Sequence, residues 1–312
     1  MSSSGFRNRG GDSPSSREDG SAIASFEGSP HQPSTINLDG LFDQYRSKLP
    51  SSPNPRKLAM SIPRPDQQME PSSAKRKRKP TAAGQSTSPV KKAKRVSSSY
   101  APPTKYAHLV NKLTDSLAPN LICVFIGLNP GLRTATTGHA YNHPSNLFWK
   151  LLHKSKCTPR LCRAEEDGDM PKLYNLGLTN IVGRPTKDGS ELSKAEMDAG
   201  VADLEAKVAL QRPEAVAIVG KSIWESIWRV RHGTNIKKDQ FKYGWQDDTE
   251  RMGVVKTSES PWPGARLFVA TTTSGLAVGM RLHEKEQIWK ELGDWVTERR
   301  AERNDEEAAP SS

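Results

Sequence analysis

LICVFIGLNPGLRTATTGHAYNHPSNLFWKLL, residues 121–152, lays out strand, loop and helix in one pass. Leu121 to Leu128 is an almost unbroken apolar run, the pattern of a parallel strand buried on both faces, and Asn129-Pro130-Gly131 ends it with turn chemistry. Ligands of open α/β sheets collect outside the carboxyl ends of strands, so an amide held there by a Pro-Gly turn is a candidate for chemical work. Asn129 can equally be a plain turn former. Further on, Pro144 is predicted at the first position of a helix that turns Leu147, Phe148, Leu151 and Leu152 inward.

Working outward toward the C-terminus, helix and strand signals alternate. Leu178 to Val182 reads as a short strand and Gly183-Arg184-Pro185-Thr186 as the loop after it. Ser193 and Glu196 form a capping box ahead of Met197, Val201, Leu204 and Val208 at helical spacing, until Arg212-Pro213 ends the run. Residues 215–220 repeat the buried-strand pattern with a helix behind it. Residues 231–263 are polar and irregular, read as a long loop or hairpin. Residues 266–271 form a third strand running into the loop at 272–277, and the last helix is expected from about His283 to Arg300, with a frayed end from Asp305. This alternation implies a parallel sheet between two helical layers, an α/β class in three-layer αβα form. The loops after Leu128 and Thr271 can then meet at one cleft.

Toward the N-terminus the character changes. Residues 1–104 are rich in Ser, Pro, Gly and charge with few clustered apolar side chains, so they are expected to be disordered. They carry 17 Lys/Arg against 8 Asp/Glu, a net +9 of the chain's +11. The excess concentrates in Lys75, Arg76, Lys77, Arg78, Lys79 and in Lys91, Lys92, Lys94, Arg95, with no acidic residue between the clusters. Such clusters serve as a nuclear-import signal, as an arm that releases counterions from DNA phosphates, or only as a solubilising tail. Residues 36–45 hold the arm's only apolar patch, a candidate partner-binding segment. The reading is a disordered basic arm at 1–104, one domain at 105–302 and a disordered end at 303–312.

Several function classes fall away. No apolar run reaches the roughly 18 residues that a membrane-spanning helix needs, so a membrane partner is not expected. The N-terminus lacks the apolar core of a signal peptide, and the protein is expected to be intracellular. Cys123, Cys157 and Cys162 cannot all pair, which suits a reducing compartment, and no metal-ligand spacing is visible. There is no G-x-G-x-x-G after a strand, no phosphate-loop G-x-x-x-x-G-K-[ST] and no G-x-S-x-G elbow. No cofactor is called for.

At Gly127-Leu128-Asn129-Pro130-Gly131-Leu132, Gly138, Tyr141, Asn146-Leu147-Phe148-Trp149-Lys150, Leu178 to Thr186 and Ile218-Val219-Gly220-Lys221, the chain resembles the mismatch-specific thymine/uracil-DNA glycosylases. The ordered motifs span roughly residues 104–302, and the long basic arm is closer to the eukaryotic members. The resemblance implies a uracil-DNA glycosylase-like fold. It also implies an enzyme that flips a nucleotide from duplex DNA into a pocket and hydrolyses its glycosidic bond, in base excision repair.

By resemblance, Asn129 is the catalytic amide that holds the attacking water. Leu128, Thr134, Tyr141, Asn146, Asn180 and Thr186 form the base pocket, Tyr141 as the stacking aromatic and the others around the base and its ring substituent. Tyr141 can otherwise be a core residue, and Asn146, Asn180 and Thr186 helix caps or loop residues. Thr134 stands where family members carry alanine or serine, in the loop after Asn129. Gly275, Leu276 and Ala277 match the wedge that fills the vacated stack, Ser274 a phosphate contact, and Lys221 belongs with the DNA-binding positions. Val278 departs from the arginine of relatives, with Arg281 further on, and Thr272-Thr273 replaces residues that usually include a proline.

The expected activity is removal of uracil or thymine from G·U and G·T mismatches without strand cleavage, since no lysine is placed as a Schiff-base nucleophile. The rival is a catalytically silent DNA-binding or chromatin protein on the same fold. The expected partners are mismatched double-stranded DNA and abasic-site processing enzymes. The expected state is a monomer and the expected location the nucleus.

Overall fold

The structure is a computed structural model that describes residues 99–275, 277 and 279–308. Both basic clusters, the apolar patch at 36–45, Leu276 and Val278 lie outside the described residues.

Five strands form one sheet: β1 Cys123–Gly127, β2 Leu176–Asn180, β3 Ala215–Val219, β4 Gly244–Trp245 and β5 Arg266–Ala270. Their order is β2-β1-β3-β5-β4, parallel throughout except where β4 pairs antiparallel with β5. The registers Gly127↔Asn180 and Val219↔Ala270 bring the carboxyl ends of the four parallel strands to one edge.

Alternation along β1 explains the layers. Cys123 and Phe125 face one way, packing with Phe148 and Leu152 of α2 (Phe148–Lys154), Met170 of α3 (Met170–Tyr174) and Trp289, Leu292 and Val296 of α6 (Leu282–Ala308). Val124 and Ile126 face the other way, toward Met197, Val201 and Leu204 of α4 (Lys194–Gln211) and Ile223, Trp224 and Ile227 of α5 (Lys221–His232). A sheet apolar on both faces must be covered on both, and the three-layer αβα architecture follows. Every strand and long helix read from the sequence is present. The capping box forms as expected: the Glu196 N–H donates to Ser193 Oγ at 3.1 Å and the Ser193 N–H to Glu196 Oε2 at 2.9 Å, a motif worth about 1 kcal/mol.

The structure departs from the sequence reading in four places. The segment after Asn129 is helical, α1 (Leu132–Thr137), closed by Gly138 at φ 81°. Its three β-branched threonines gave little helical signal, yet Thr136 and Thr137 donate back to the Arg133 carbonyl, satisfying their hydroxyls locally. Thr134 is therefore on a helix and not in a loop. Second, Pro144 does not open a helix, because the Asn146 N–H donates to His143 O and the Leu147 N–H to Thr273 O, each at 2.9 Å, holding residues 143–147 as a turn. The helix begins at Phe148, whose N–H donates to Asn146 Oδ1 at 2.9 Å.

Third, α6 runs to Ala308, past the helix end expected at about Arg300, past the domain end expected at 302 and through Asp305, the expected start of a frayed end. Arg299 and Arg303, one turn apart, both pair with Glu214, and Arg303 Nη1 donates to the Asn120 carbonyl at 2.7 Å, so 303–308 belongs with the folded body. Fourth, the body starts before residue 105. Ala101 is 2% exposed and its N–H donates to Glu191 O at 3.0 Å. Among the described residues no helix is long and apolar enough to cross a membrane.

Candidate active site

The strand ends of β1, β2 and β3 and the loop after β5 enclose a cleft of about 780 Å³. Leu128, Asn129, Thr134, Tyr141, Asn146, Asn180, Thr186, Ser274, Gly275 and Ala277 all line it. The chain thus brings to one place residues separated by almost 150 positions, because parallel strands leave their following loops on the same edge.

Asn129 sits where β1 stops. Its Nδ2 donates to the Arg184 carbonyl and to Thr186 Oγ1, both at 2.8 Å, and more weakly to Pro130 O at 3.3 Å. Carbonyl oxygens only accept, so they fix which end of the amide is nitrogen. Oδ1 is left to face the cleft as an acceptor. Thr186 in turn donates its hydroxyl proton to Asp188 O at 2.9 Å, so its oxygen is oriented to accept from Asn129. Expected as a base contact, Thr186 is a support for the amide, its hydroxyl committed on both sides.

Tyr141 stands at φ 55° and stacks on Phe148, ring centroids 3.8 Å apart and planes 7° from parallel. The segment before it is clamped: Asp167 accepts the Ala140 N–H at 2.6 Å and meets His139 Nδ1 at 3.1 Å, and Trp149 Nε1 donates to Ala140 O at 3.2 Å. Asp167, 27 positions from Ala140, carries no local sequence signal. The Tyr141 phenol is buried without a hydrogen-bond partner, and burial pushes its pKa upward, so it stays a neutral donor. Its oxygen and Asn180 Oδ1 converge over Gly127: a β-carbon there would lie 2.8 Å from the first and 2.4 Å from the second. Residue 127 has no side chain, and that lets Tyr141 and Asn180 close over the strand end at the floor of the cleft.

Thr134 is 6% exposed and forms part of the wall. Asn146 also lines the cleft, but its Oδ1 accepts the N–H of Phe148, the first residue of α2, leaving its amide nitrogen for other use. Gly275 packs so closely on Ser145 that a β-carbon would meet its carbonyl oxygen at 2.5 Å, and the Ala277 N–H closes a turn on Ser274 O at 3.2 Å. Lys221 is not among the lining residues. Its ammonium lies 4.4 Å over the Phe241 ring and 3.7 Å from Glu225.

Two carboxylates reach the lining, and both are occupied. Asp115 accepts the Thr179 hydroxyl at 2.8 Å and pairs with Lys207 at 2.6 Å. Asp188 caps a short 3-10 helix by accepting the Ser190 N–H at 2.8 Å. His143 also lines the cleft, its Nδ1 2.8 Å from Ser145 Oγ, while the anchored Asn129 amide keeps Oδ1 without a hydrogen bond among the described residues. Among the described residues no three His, Cys, Asp or Glu side chains gather as a metal site would need.

The profile of the Uracil DNA glycosylase superfamily matches residues 114–293. This chain belongs to that superfamily. The matched span contains every residue that lines the cleft except Leu113, and leaves the basic arm outside it. A Schizosaccharomyces pombe protein named G/U mismatch-specific uracil DNA glycosylase is 34% identical to it over 195 residues, which are 62% of this chain and 56% of that protein. The chain therefore spans little more than half the length of this curated relative. Superfamily membership accounts for the three-layer sheet architecture and for a cleft at the carboxyl edge of its strands.

Proposed function

We propose that this uracil DNA glycosylase superfamily member is a monofunctional DNA glycosylase that removes uracil, and more slowly thymine, opposite guanine in duplex DNA. The observation that carries this reading is the Asn129 amide, anchored through Nδ2 to Arg184 O and Thr186 Oγ1 with Oδ1 left toward the cleft. The name of the Schizosaccharomyces pombe relative, a G/U mismatch-specific uracil DNA glycosylase, supports the uracil part of this reading.

A base inside stacked DNA is out of reach, so the nucleotide rotates into the cleft, and its ring enters beside Tyr141 and Asn180. Asn180 and the neutral Tyr141 phenol offer polar contacts to the base edge. Asn129 Oδ1 accepts a hydrogen bond from the attacking water and aims its oxygen at C1′. An amide is too weak a base to deprotonate that water in advance, so the C1′–N1 bond breaks early, with the electron pair going to the base. Water then adds to the oxocarbenium-like sugar and loses its proton to solvent, leaving an abasic site and the free base. Within base excision repair, the abasic product passes to processing enzymes, and the basic arm serves nuclear import, DNA holding or both.

Labelled duplexes bearing G·U, G·T and A·U, and single-stranded U, incubated with the protein and then treated with alkali, test this reading. Cleavage at the mismatched pyrimidine, strongest for G·U and lost in Asn129→Ala, is expected. A folded chain that binds the G·U duplex and releases no base supports the silent DNA-binding reading instead.

A further inference from the structure

Lys285 belongs to none of the sequence motifs. It lies in the first turn of α6, is 4% exposed, and donates through Nζ to the Thr272 carbonyl at 3.0 Å. Among the described residues no carboxylate pairs with it: Glu284 accepts the Arg281 N–H at 2.6 Å and Glu286 pairs with Lys154 at 2.6 Å. Desolvation pushes its pKa down. Burying an unpaired ammonium is unfavourable, and a neutral donor could satisfy one carbonyl without that cost. Packing alone does not account for a charge here.

Its surroundings suggest what the charge is for. One turn further along α6, Trp289 Nε1 donates to Thr271 Oγ1 at 3.0 Å, and the Leu147 N–H donates to Thr273 O at 2.9 Å. Three successive residues leaving β5 are thus held by three different donors. Thr272, Thr273, Ser274 and Gly275 line the cleft, and Gly275 lies against Ser145 on the opposite rim.

We infer that Lys285 is a positioning residue for duplex opening: its ammonium clamps the 272–275 loop through Thr272 and places a positive charge directly behind the rim that meets the DNA phosphates. This rests on the glycosylase reading and adds to it the group that holds the loop ready. A loop already in place lowers the cost of unstacking, whereas general duplex attraction comes from exposed lysines and arginines.

The test uses the full chain, a G·U duplex with 2-aminopurine beside the uracil, and the variant Lys285→Met. With the thermal midpoint unchanged, the unstacking fluorescence and the single-turnover excision rate are expected to fall together, the rate by about 10- to 100-fold, the scale of misplaced positioning groups. Affinity for undamaged duplex should stay at the wild-type value. Wild-type unstacking in the variant, or an equal loss of affinity for undamaged duplex, overturns the inference. Should the methionine variant not fold, Lys285→Gln, which keeps a donor without the charge, decides by the same two readouts. A wild-type chain that unstacks the duplex but releases no base refutes the glycosylase reading separately, and the unstacking amplitude still judges Lys285.

Discussion

The hydroxyl of Thr186 accepts a hydrogen bond from the amide of Asn129 at 2.8 Å while donating its own proton to the Asp188 carbonyl at 2.9 Å, so the orientation of the amide is dictated from outside the cleft. A water held by Asn129 Oδ1 then has one place to sit. Thr186→Val removes the acceptor and keeps the shape, and it should lower single-turnover excision of uracil from G·U by about 10- to 100-fold, as loss of positioning does. Thr186→Ser should recover most of the rate. Equal rates in the valine and wild-type proteins would show that the Arg184 carbonyl alone orients the amide.

Gly127 is a second point of control. A β-carbon at this position would lie 2.4 Å from Asn180 Oδ1 and 2.8 Å from the Tyr141 phenol oxygen, so it would push both cleft side chains out of place. Gly127→Ala is expected to lower kcat/KM on G·U duplexes by about 10- to 100-fold, since displacing Asn180 and Tyr141 costs about 1–3 kcal/mol. Mismatch-independent DNA binding, measured by fluorescence anisotropy, should not change. Undiminished excision would mean that the reaction does not depend on how Tyr141 and Asn180 are placed.

Preference between uracil and thymine is expected to depend on Thr134. This buried residue of α1 lines the cleft, and its branched side chain has few rotamers with which to withdraw from a 5-methyl group. One methyl is worth about 1–3 kcal/mol of discrimination, so G·U should be processed roughly 10- to 200-fold faster than G·T. Thr134→Ala should narrow that ratio mainly by raising thymine release, which parallel single-turnover assays on the two mismatches will read. An unchanged ratio removes Thr134 from the pocket wall.

The basic arm should act by charge alone. Deleting residues 1–96 removes Lys75, Arg76, Lys77, Arg78, Lys79, Lys91, Lys92, Lys94 and Arg95. Non-specific duplex affinity should then fall and the slope of log affinity against log salt should flatten, while excision at low salt persists. A truncated protein that folds but cannot excise would place part of the catalytic function in the arm.

Helix α6 offers a stability test that local propensity gets wrong. Alanine is the better helix former by about 1 kcal/mol, which would favour Gly293→Ala. In the fold a β-carbon at 293 would stand 1.7 Å from the Ser155 carbonyl oxygen, where α6 crosses the end of α2. The substitution should therefore destabilise the protein by about 1–3 kcal/mol through overpacking, read as a lower denaturant midpoint.

Much of this molecule is written locally. The apolar runs at 121–128, 215–219 and 266–270, the Ser193–Glu196 capping box and the polar residue at the end of the first strand depend on near neighbours, so they show directly in the sequence. So does a place at the cleft for Asn129, once parallel strands put their following loops on one edge, whereas Tyr141 and Asn180 are placed there only by the family resemblance. Only tertiary structure could decide what those side chains do there. Thr186 became a support for Asn129, Asn146 an acceptor for the Phe148 N–H, and Lys221 a partner of Phe241 and Glu225 outside the cleft. Asp167 and Lys285 act on residues 27 and 13 positions away, which no periodicity encodes. A hydrogen bond needs its partner within about 3 Å at a usable angle, and that distance is set by how helices and strands pack, not by spacing along the chain.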